Sequence, residues 1–265
     1  MAVRADAVRL SGRAVNRPTI SAVVITFNEE ERLRPCLESL AWVDEVVVVD
    51  AESSDKTVQI AREFTDRVWV RPWPGFAGQK NFAIEQATGD WIFSVDADEE
   101  VPLELRVEIG AVLEGRGESV QAYRVPRRNI FWGRWVRHGG LYPDWQLRLF
   151  RRGLGRFVDH SVHESAQVTG TVGRLRAPLV HRSYRGVADF LARADRYSTL
   201  AAEAWIRSGR PARRSDLVFR PLGRFLGMYV ARAGFLDGWR GFLLACLYAY
   251  YVLIRSAKVW ERVRG

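Results

Sequence analysis

Three short apolar runs that end beside polar or acidic residues constrain this chain more than any other feature. Ile20–Thr26 (ISAVVIT), Glu45–Asp50 (EVVVVD) and residues 91–95 (WIFSV) are too short for buried helices and rich in β-branched side chains, as strands buried on both faces are. Helical spacing separates them. Leu33, Leu37 and Leu40 follow the acidic triplet Glu29, Glu30 and Glu31; Ser53, Ser54 and Asp55 supply capping chemistry for a helix through Phe64; and a Pro- and Gly-rich loop precedes a helix over residues 79–87. Residues 67–70 read as a further, shorter strand. Strands alternating with helices predict an α/β fold with a mostly parallel central sheet. Ligands bind such sheets beyond the carboxyl ends of the strands, where Asn28, Asp50 and Asp96 all fall.

The pattern then loosens. A helix is expected from Pro102 to about Glu114, strands at 120–126 and 146–150, and between them a long aromatic loop. From Val187 the texture turns helical, with a polar break at 208–215 and an apolar, Arg-studded segment over 217–264. The expected organisation is a polar tail over 1–18, an α/β catalytic unit over 19–185 and a helical, basic amphipathic region over 186–265.

Composition narrows the class. With 48% hydrophobic and 27% charged residues, wholesale disorder, collagen-like repeats and a multi-span membrane protein are excluded. Two distant cysteines, Cys36 and Cys246, make neither a disulfide scaffold nor a cysteine-rich zinc module. The net charge of +9 is regional, because residues 186–265 hold fourteen Lys and Arg against six Asp and Glu. Residues 1–17 lack the apolar core of a secretory signal, so a cytoplasmic location, peripheral on the inner face of the cell membrane, is expected. The apolar run 241–254 falls short of the roughly 20 residues of a spanning helix. Arg255, Lys258 and Arg262 recur after it at helical spacing, and with Trp239 and Trp260 they predict a helix lying on an anionic membrane surface. Packing on the sheet or against another subunit is the competing reading.

Asp96-x-Asp98 at the end of a buried strand sets two carboxylates on one side of an extended chain. Two such oxygen ligands suit Mg²⁺ or Mn²⁺, which completes its shell with substrate phosphates and water. A solvated acidic turn, with Glu99 and Glu100 capping the next helix, is the plainer alternative.

Four segments carry a resemblance: VVITFNEEERLRPCLESL at 23–40, DEVVVVDAESSDKT at 44–57, GFAGQKNFAIEQATGDWIFSVDADEE at 75–100 and LYPDWQLRLFRR at 141–152. Together they resemble the family 2 glycosyltransferases of GT-A fold, particularly the bacterial lipopolysaccharide-core β-glucosyltransferase branch. The resemblance implies an inverting, metal-dependent transfer of sugar from a nucleotide-sugar donor, a UDP-sugar, to a cell-envelope glycolipid or saccharide acceptor. It implies that Thr26, Phe27, Asn28, Glu29 and Asp50 hold the nucleotide base, that Asp55 braces their loop, and that Lys80 and Asn81 lie near the nucleotide. Asp96 falls beside the ribose, and Asp98 and His163 at the metal. Asp144 becomes the general base that takes the acceptor's hydroxyl proton. Gln146 and Arg148, alternate residues on the following strand, point toward diphosphate or acceptor. A structural role stays open for His163, Gln146 and Arg148, and a turn or helix-capping role for Asp50 and Asp55.

His160, His163 and Glu164 lack the helical HExxH arrangement of zinc proteases, and His138 and His181 read as structural or acceptor-loop residues. The basic aromatic stretch 127–145 resembles a stacking surface for single strands, but no nucleic-acid-binding signature accompanies it, and aromatic platforms also hold sugars. Two other functions remain to be weighed: transfer to a polyprenyl phosphate, and a non-catalytic basic adaptor for membrane or nucleic acid.

Overall fold

The computed structural model describes residues 17–116, 119–159 and 164–264. Its first half alternates strictly: β1 (Ile20–Thr26), α1 (Leu33–Ser39), β2 (Glu45–Asp50), α2 (Thr57–Arg62), β3 (Val68–Val70), α3 (Phe76–Gln86) and β4 (Trp91–Asp96). Then come β5 (Glu99–Glu100), α4 (Leu103–Ala111), β6 (Ala122–Phe131), β7 (Arg134–Trp135), β8 (Asp144–Arg151), β9 (Gly155–Asp159), β10 (Glu164–Val168), β11 (Val172–Arg174) and β12 (Leu179–Arg182). Three helices end the chain: α5 (Val187–Arg207), α6 (Asp216–Leu226) and α7 (Gly238–Arg264).

The central sheet runs β3-β2-β1-β4-β8-β6-β12-β5, with β7 and β11 attached to β6. Strands β3, β2, β1 and β4 are parallel, while β8 lies antiparallel to both β4 and β6. Why the apolar runs form these strands is visible in their burial. Ala22 and Val24 face one apolar layer with Leu33, Leu37, Phe93 and Leu105, whereas the intervening Val23 faces the other with Val47, Val49 and Ile92. A strand covered on both sides has no polar face to alternate with.

The register fixes the working end of the sheet. Thr26 pairs with Asp50, and Ile25 with Asp96, so the carboxyl ends of β2 and β4 flank that of β1. Strand order reverses here, which opens the crevice that ligands use in α/β sheets. Because β8 runs against β4, with Trp91 opposite Arg151 and Phe93 opposite Leu149, its first residue, Asp144, lies at the same end.

Two expectations change. The strand expected to end at residue 126 continues to Phe131, so part of the anticipated aromatic loop is β-structure. Arg127 and Asn129 sit on it and are tied to Asp144 and Leu141, which lets polar side chains occupy an otherwise buried strand. The basic residues of α7 do not form a membrane-facing stripe, because α5 answers them. Lys258 is held by Asp195, Ser198 and Thr199 of α5, Arg262 by Glu203, and Arg255 lies 5.3 Å from the centre of the Trp205 ring. Helix α7 also buries apolar side chains. Leu244, Leu247 and Tyr248 pack against Phe131, Val136, Phe190 and Ala194, which joins the helical region to the end of β6. Residues 234–263 are long and apolar enough to cross a membrane by length and composition, since helical structure extends beyond the apolar run 241–254, but 33% of the window is buried in the molecule.

Candidate functional site

The loops that follow β1 and β2 are laced together. Asp50 is fully buried, and its carboxylate accepts hydrogen bonds from Thr26 Oγ1 (2.8 Å), Ser53 N (2.8 Å) and Ser53 Oγ (2.6 Å). The Asn28 N–H donates to Ser53 Oγ, the Ser54 N–H to Asn28 Oδ1 and the Glu29 N–H to Thr57 Oγ1. Asn28 adopts φ 54°, a left-handed conformation that asparagine tolerates. Asp55 accepts from Glu30 N and from both the N–H and hydroxyl of Thr57. Burial opposes its ionisation, but these donors prevail and lower its pKa. Phe27 stands exposed at the loop's tip. Asp50, expected from sequence to meet the base directly, is fully buried beneath these donors. The structure gives the carboxylate a bracing position under the loop.

At the end of β4, charge is concentrated and paired. Asp96 lies 3.0 Å from Lys80 Nζ and is bonded to Arg148, which also donates to Glu99 Oε1 at 2.5 Å. Glu99 is fully buried and accepts from Asp96 N, with Arg127 Nη1 3.5 Å away. Burial opposes ionisation of Asp96, but Arg148 and Lys80 hold it well below the usual carboxylate range. The same carboxylates push the Arg148 pKa upward against burial. Arg148 therefore faces the interior and not diphosphate or acceptor, because its Nη2 answers both the fully buried Glu99 and the partly exposed Asp96. Lys80, expected near phosphate, is itself buried against Asp96. Asn81 is also turned inward: its amide donates to Phe157 O (2.9 Å) and accepts from Phe157 N (2.8 Å), which fastens α3 to β9.

Asp98 is placed differently. Its Oδ2 is 3.5 Å from Arg32 Nη1 and 3.5 Å from His181 Nε2. Burial raises its pKa, but His181 and Arg32 outweigh that and leave it lowered. Arg32 is oriented by two bonds of 2.8 Å to Glu29. Asn129 donates to Leu141 O, so its Oδ1 accepts from His181 Nδ1 at 2.6 Å, and this assignment leaves His181 Nε2 facing Asp98. A carboxylate and an imidazole nitrogen thus stand together as potential ligands; among the described residues no group of three or more such side chains gathers. His160 and His163 lie outside the described residues.

Asp144 completes the arrangement. Its Oδ2 accepts from Arg127 Nε (2.8 Å) and Nη2 (2.6 Å), and its Oδ1 from Gln146 Nε2 (2.7 Å). Gln146 thus orients Asp144. Partial burial opposes ionisation, but Arg127 and then Gln146 lower the pKa of Asp144. Asp144 lines a cavity of about 390 Å³ with Asn129, His181, Tyr184, Arg193 and Tyr248. His181 therefore links the Asp98 carboxylate to the cavity that holds Asp144. A second cleft, of about 480 Å³, lies at the amino ends of the parallel strands beside Thr19, Glu45 and Arg67, where Glu45 is already held by Arg67 and Thr88.

From sequence, Arg127 and Asn129 fall only within the aromatic stretch that could hold a sugar, His181 reads as a structural or acceptor-loop residue, and Tyr248 has no site role. The period-two spacing of Arg127 and Asn129 after Pro126 would have put both on one strand face. No local signal marks Tyr248, which reaches the cavity from α7.

Comparison with known proteins identifies the family. Residues 21–169 match the model of Glycosyl transferase family 2. The chain is 35% identical over 250 residues to the lipopolysaccharide core biosynthesis glycosyltransferase LpsC of Rhizobium meliloti (strain 1021), covering 92% of each. It is 29% identical over 253 residues to the uncharacterized glycosyltransferase RT0209 of Rickettsia typhi, covering 91% of this chain and 87% of that one. Among solved structures it resembles glucosyl-3-phosphoglycerate synthase from Mycobacterium tuberculosis in complex with Mg²⁺ and UDP, with 20% identity, TM-score 0.48 and coverage of 73% of this chain and 80% of that one. It also resembles S. aureus TarS 1-349, with 19% identity, TM-score 0.47 and coverage of 93% and 91%. With more than half of its length matched by the family model and a 35%-identical relative spanning nearly all of it, the chain belongs to glycosyl transferase family 2 and is a glycosyltransferase of GT-A fold.

Proposed function

We propose that the protein transfers a sugar, with inversion, from a UDP-sugar to a hydroxyl of a cell-envelope glycolipid of lipopolysaccharide type, at the inner face of the cell membrane. One observation carries this reading: Asp144 and His181 line one cavity at the carboxyl ends of the strands, and His181 Nε2 stands 3.5 Å from the Asp98 carboxylate. The name of the LpsC relative supports the acceptor class.

Asp144 receives the proton of the acceptor hydroxyl as its oxygen attacks the anomeric carbon on the face opposite the leaving diphosphate. Arg127 and Gln146 keep its carboxylate fixed and ionised while leaving lone-pair capacity on Oδ1. The laced loop of Thr26, Phe27, Asn28 and Glu29 forms the nucleotide end, with Asp50 and Asp55 bracing it from beneath. Asp96, neutralised by Lys80 and Arg148, closes the cleft between base and diphosphate.

Asp98 and His181 fit a divalent cation, Mg²⁺ or Mn²⁺. Their donor atoms stand 3.5 Å apart, near the roughly 3 Å edge of an octahedral shell with ligands at about 2.1 Å. When bound, the ion offsets the charge that develops on the departing diphosphate. His163 remains a further candidate ligand. A hydroxyl acceptor is favoured over polyprenyl phosphate because an acceptor phosphate would meet the Asp144 carboxylate, which it neither needs nor tolerates nearby.

Nucleotide release from UDP-, GDP-, ADP- and dTDP-sugars, measured with Mg²⁺ or Mn²⁺ and lipid acceptor, tests the proposal. Release is expected from a UDP-sugar, and Asp98→Ala should weaken metal-dependent UDP binding about 10- to 100-fold. Silence across the panel, or an Asp98→Ala variant that binds UDP as tightly as the parent, would count against it.

A further inference from the structure

Helix α6 contains no buried residue. Val218, Phe219, Leu222 and Leu226 are all exposed, Phe219 at 70%, and their spacing sets them along one side of the helix. The apolar surface continues past the helix. Phe225 and Tyr229 stack on each other and both meet Phe242 edge-on, at 5.9 and 5.6 Å between ring centres, while Tyr229 also meets Phe235. Exposed Phe235, Leu236 and Trp239 extend the patch onto the turn before α7 and its first residues. Isolated apolar side chains are ordinary on a protein surface, but a contiguous patch of this kind marks a contact.

Charge identifies the occupant. Residues 217–236 contain no Asp or Glu, and Arg224 and Arg232 are exposed within them. Exposed Arg207, Arg210, Arg213 and Arg214 precede the helix. Arg220, also on α6, is answered by Asp216. A second copy of the chain would bring arginines against arginines across such a patch, whereas an anionic bilayer answers them and receives the apolar side chains.

The patch is tied to the cavity wall. The Gly139 N–H donates to Arg232 O at 2.9 Å, and the Asp237 carboxylate accepts from the N–H groups of Arg137 (3.2 Å) and His138 (2.7 Å). The segment so held leads into Gly140 and Leu141, which line the cavity beside Asp144.

We infer that the exposed face of α6 and the turn after it docks on anionic lipid and sets the Asp144 cavity at headgroup level. The inference deepens the lipid-borne acceptor proposed above, but docking is measurable without donor or acceptor. It also centres the membrane contact on α6 and the first residues of α7, away from the later α7 cations that α5 engages.

Sedimentation of the full chain with vesicles tests this, using pure phosphatidylcholine and an equal mixture of phosphatidylcholine and phosphatidylglycerol. Binding to the mixed vesicles, weakened by salt, is expected for the parent. Phe219→Asp with Leu222→Asp should reduce that partitioning at least about tenfold, and Arg213→Glu with Arg214→Glu should reduce it only where phosphatidylglycerol is present. Thermal unfolding and UDP binding, unchanged in these surface variants, separate loss of docking from loss of fold or of donor recognition. If the aspartates disturb folding, Phe219→Ser alone should lower partitioning in the same direction. Parent protein that ignores both vesicles, variants that sediment like the parent, or dimerisation abolished by the same variants without vesicle binding would each overturn the inference.

Discussion

Asp144→Asn should lower kcat for sugar transfer by about 10²- to 10⁴-fold, the usual contribution of a positioned general base. UDP affinity should stay within about twofold, because the nucleotide end is built from other loops. An amide oxygen can still accept from Arg127, and Arg127 keeps Glu99 nearby, so the variant is expected to fold. The pH dependence has a definite sign. The competent form of Asp144 is deprotonated, and Arg127 and Gln146 lower its pKa despite burial. Activity is therefore retained as pH falls and is lost only when pH passes through a value below the ordinary aspartate pKa of about 3.9. Parent kcat/KM should show no limb from this group above about pH 5. Steady-state kinetics of parent and variant check both statements. Full activity in Asp144→Asn would remove the base from the mechanism.

Arg148→Met should cost about 3–5 kcal/mol of folding stability, read from urea unfolding without any ligand. The side chain is replaced by one of similar length, so the loss is mainly electrostatic. Glu99, fully buried, would keep the Asp96 N–H and, as its nearest cation, the more distant Arg127 guanidinium at 3.5 Å, and Asp96 would keep Lys80. Two carboxylates three residues apart would then share less positive charge, and Glu99 has no access to water to offset the loss. A loss below about 1 kcal/mol would mean that Arg148 is held for ligand and not for the fold.

These two residues also show how far the sequence could be read. Strands β1, β2 and β4 were legible because burial on both faces leaves a continuous apolar run, and the register then carried Asp50, Asp96 and Asp144 to one end of the sheet. The inward turn of Arg148 and Asn81 was not legible. A polar residue on a strand looks the same in sequence whether it meets a ligand or, as Arg148 does, a buried Glu99. Asn81 pairs with Phe157, far along the chain, through a backbone contact that no local pattern encodes. From sequence His181 reads as a structural or acceptor-loop residue. Its approach to Asp98 depends on β12 pairing with β5 and β6, a tertiary fact. The basic spacing on α7 was real, but periodicity identifies a face without naming what covers it, and α5 covers this one.

A crystal structure with UDP and Mn²⁺, read by anomalous scattering from the metal, tests the central arrangement most directly. The expected peak lies about 2.1 Å from a carboxylate oxygen of Asp98, bridged to the diphosphate, with Asp144 across the cavity from it. A peak held by other residues, or a diphosphate bound away from the cavity of Asp144 and His181, would contradict the account.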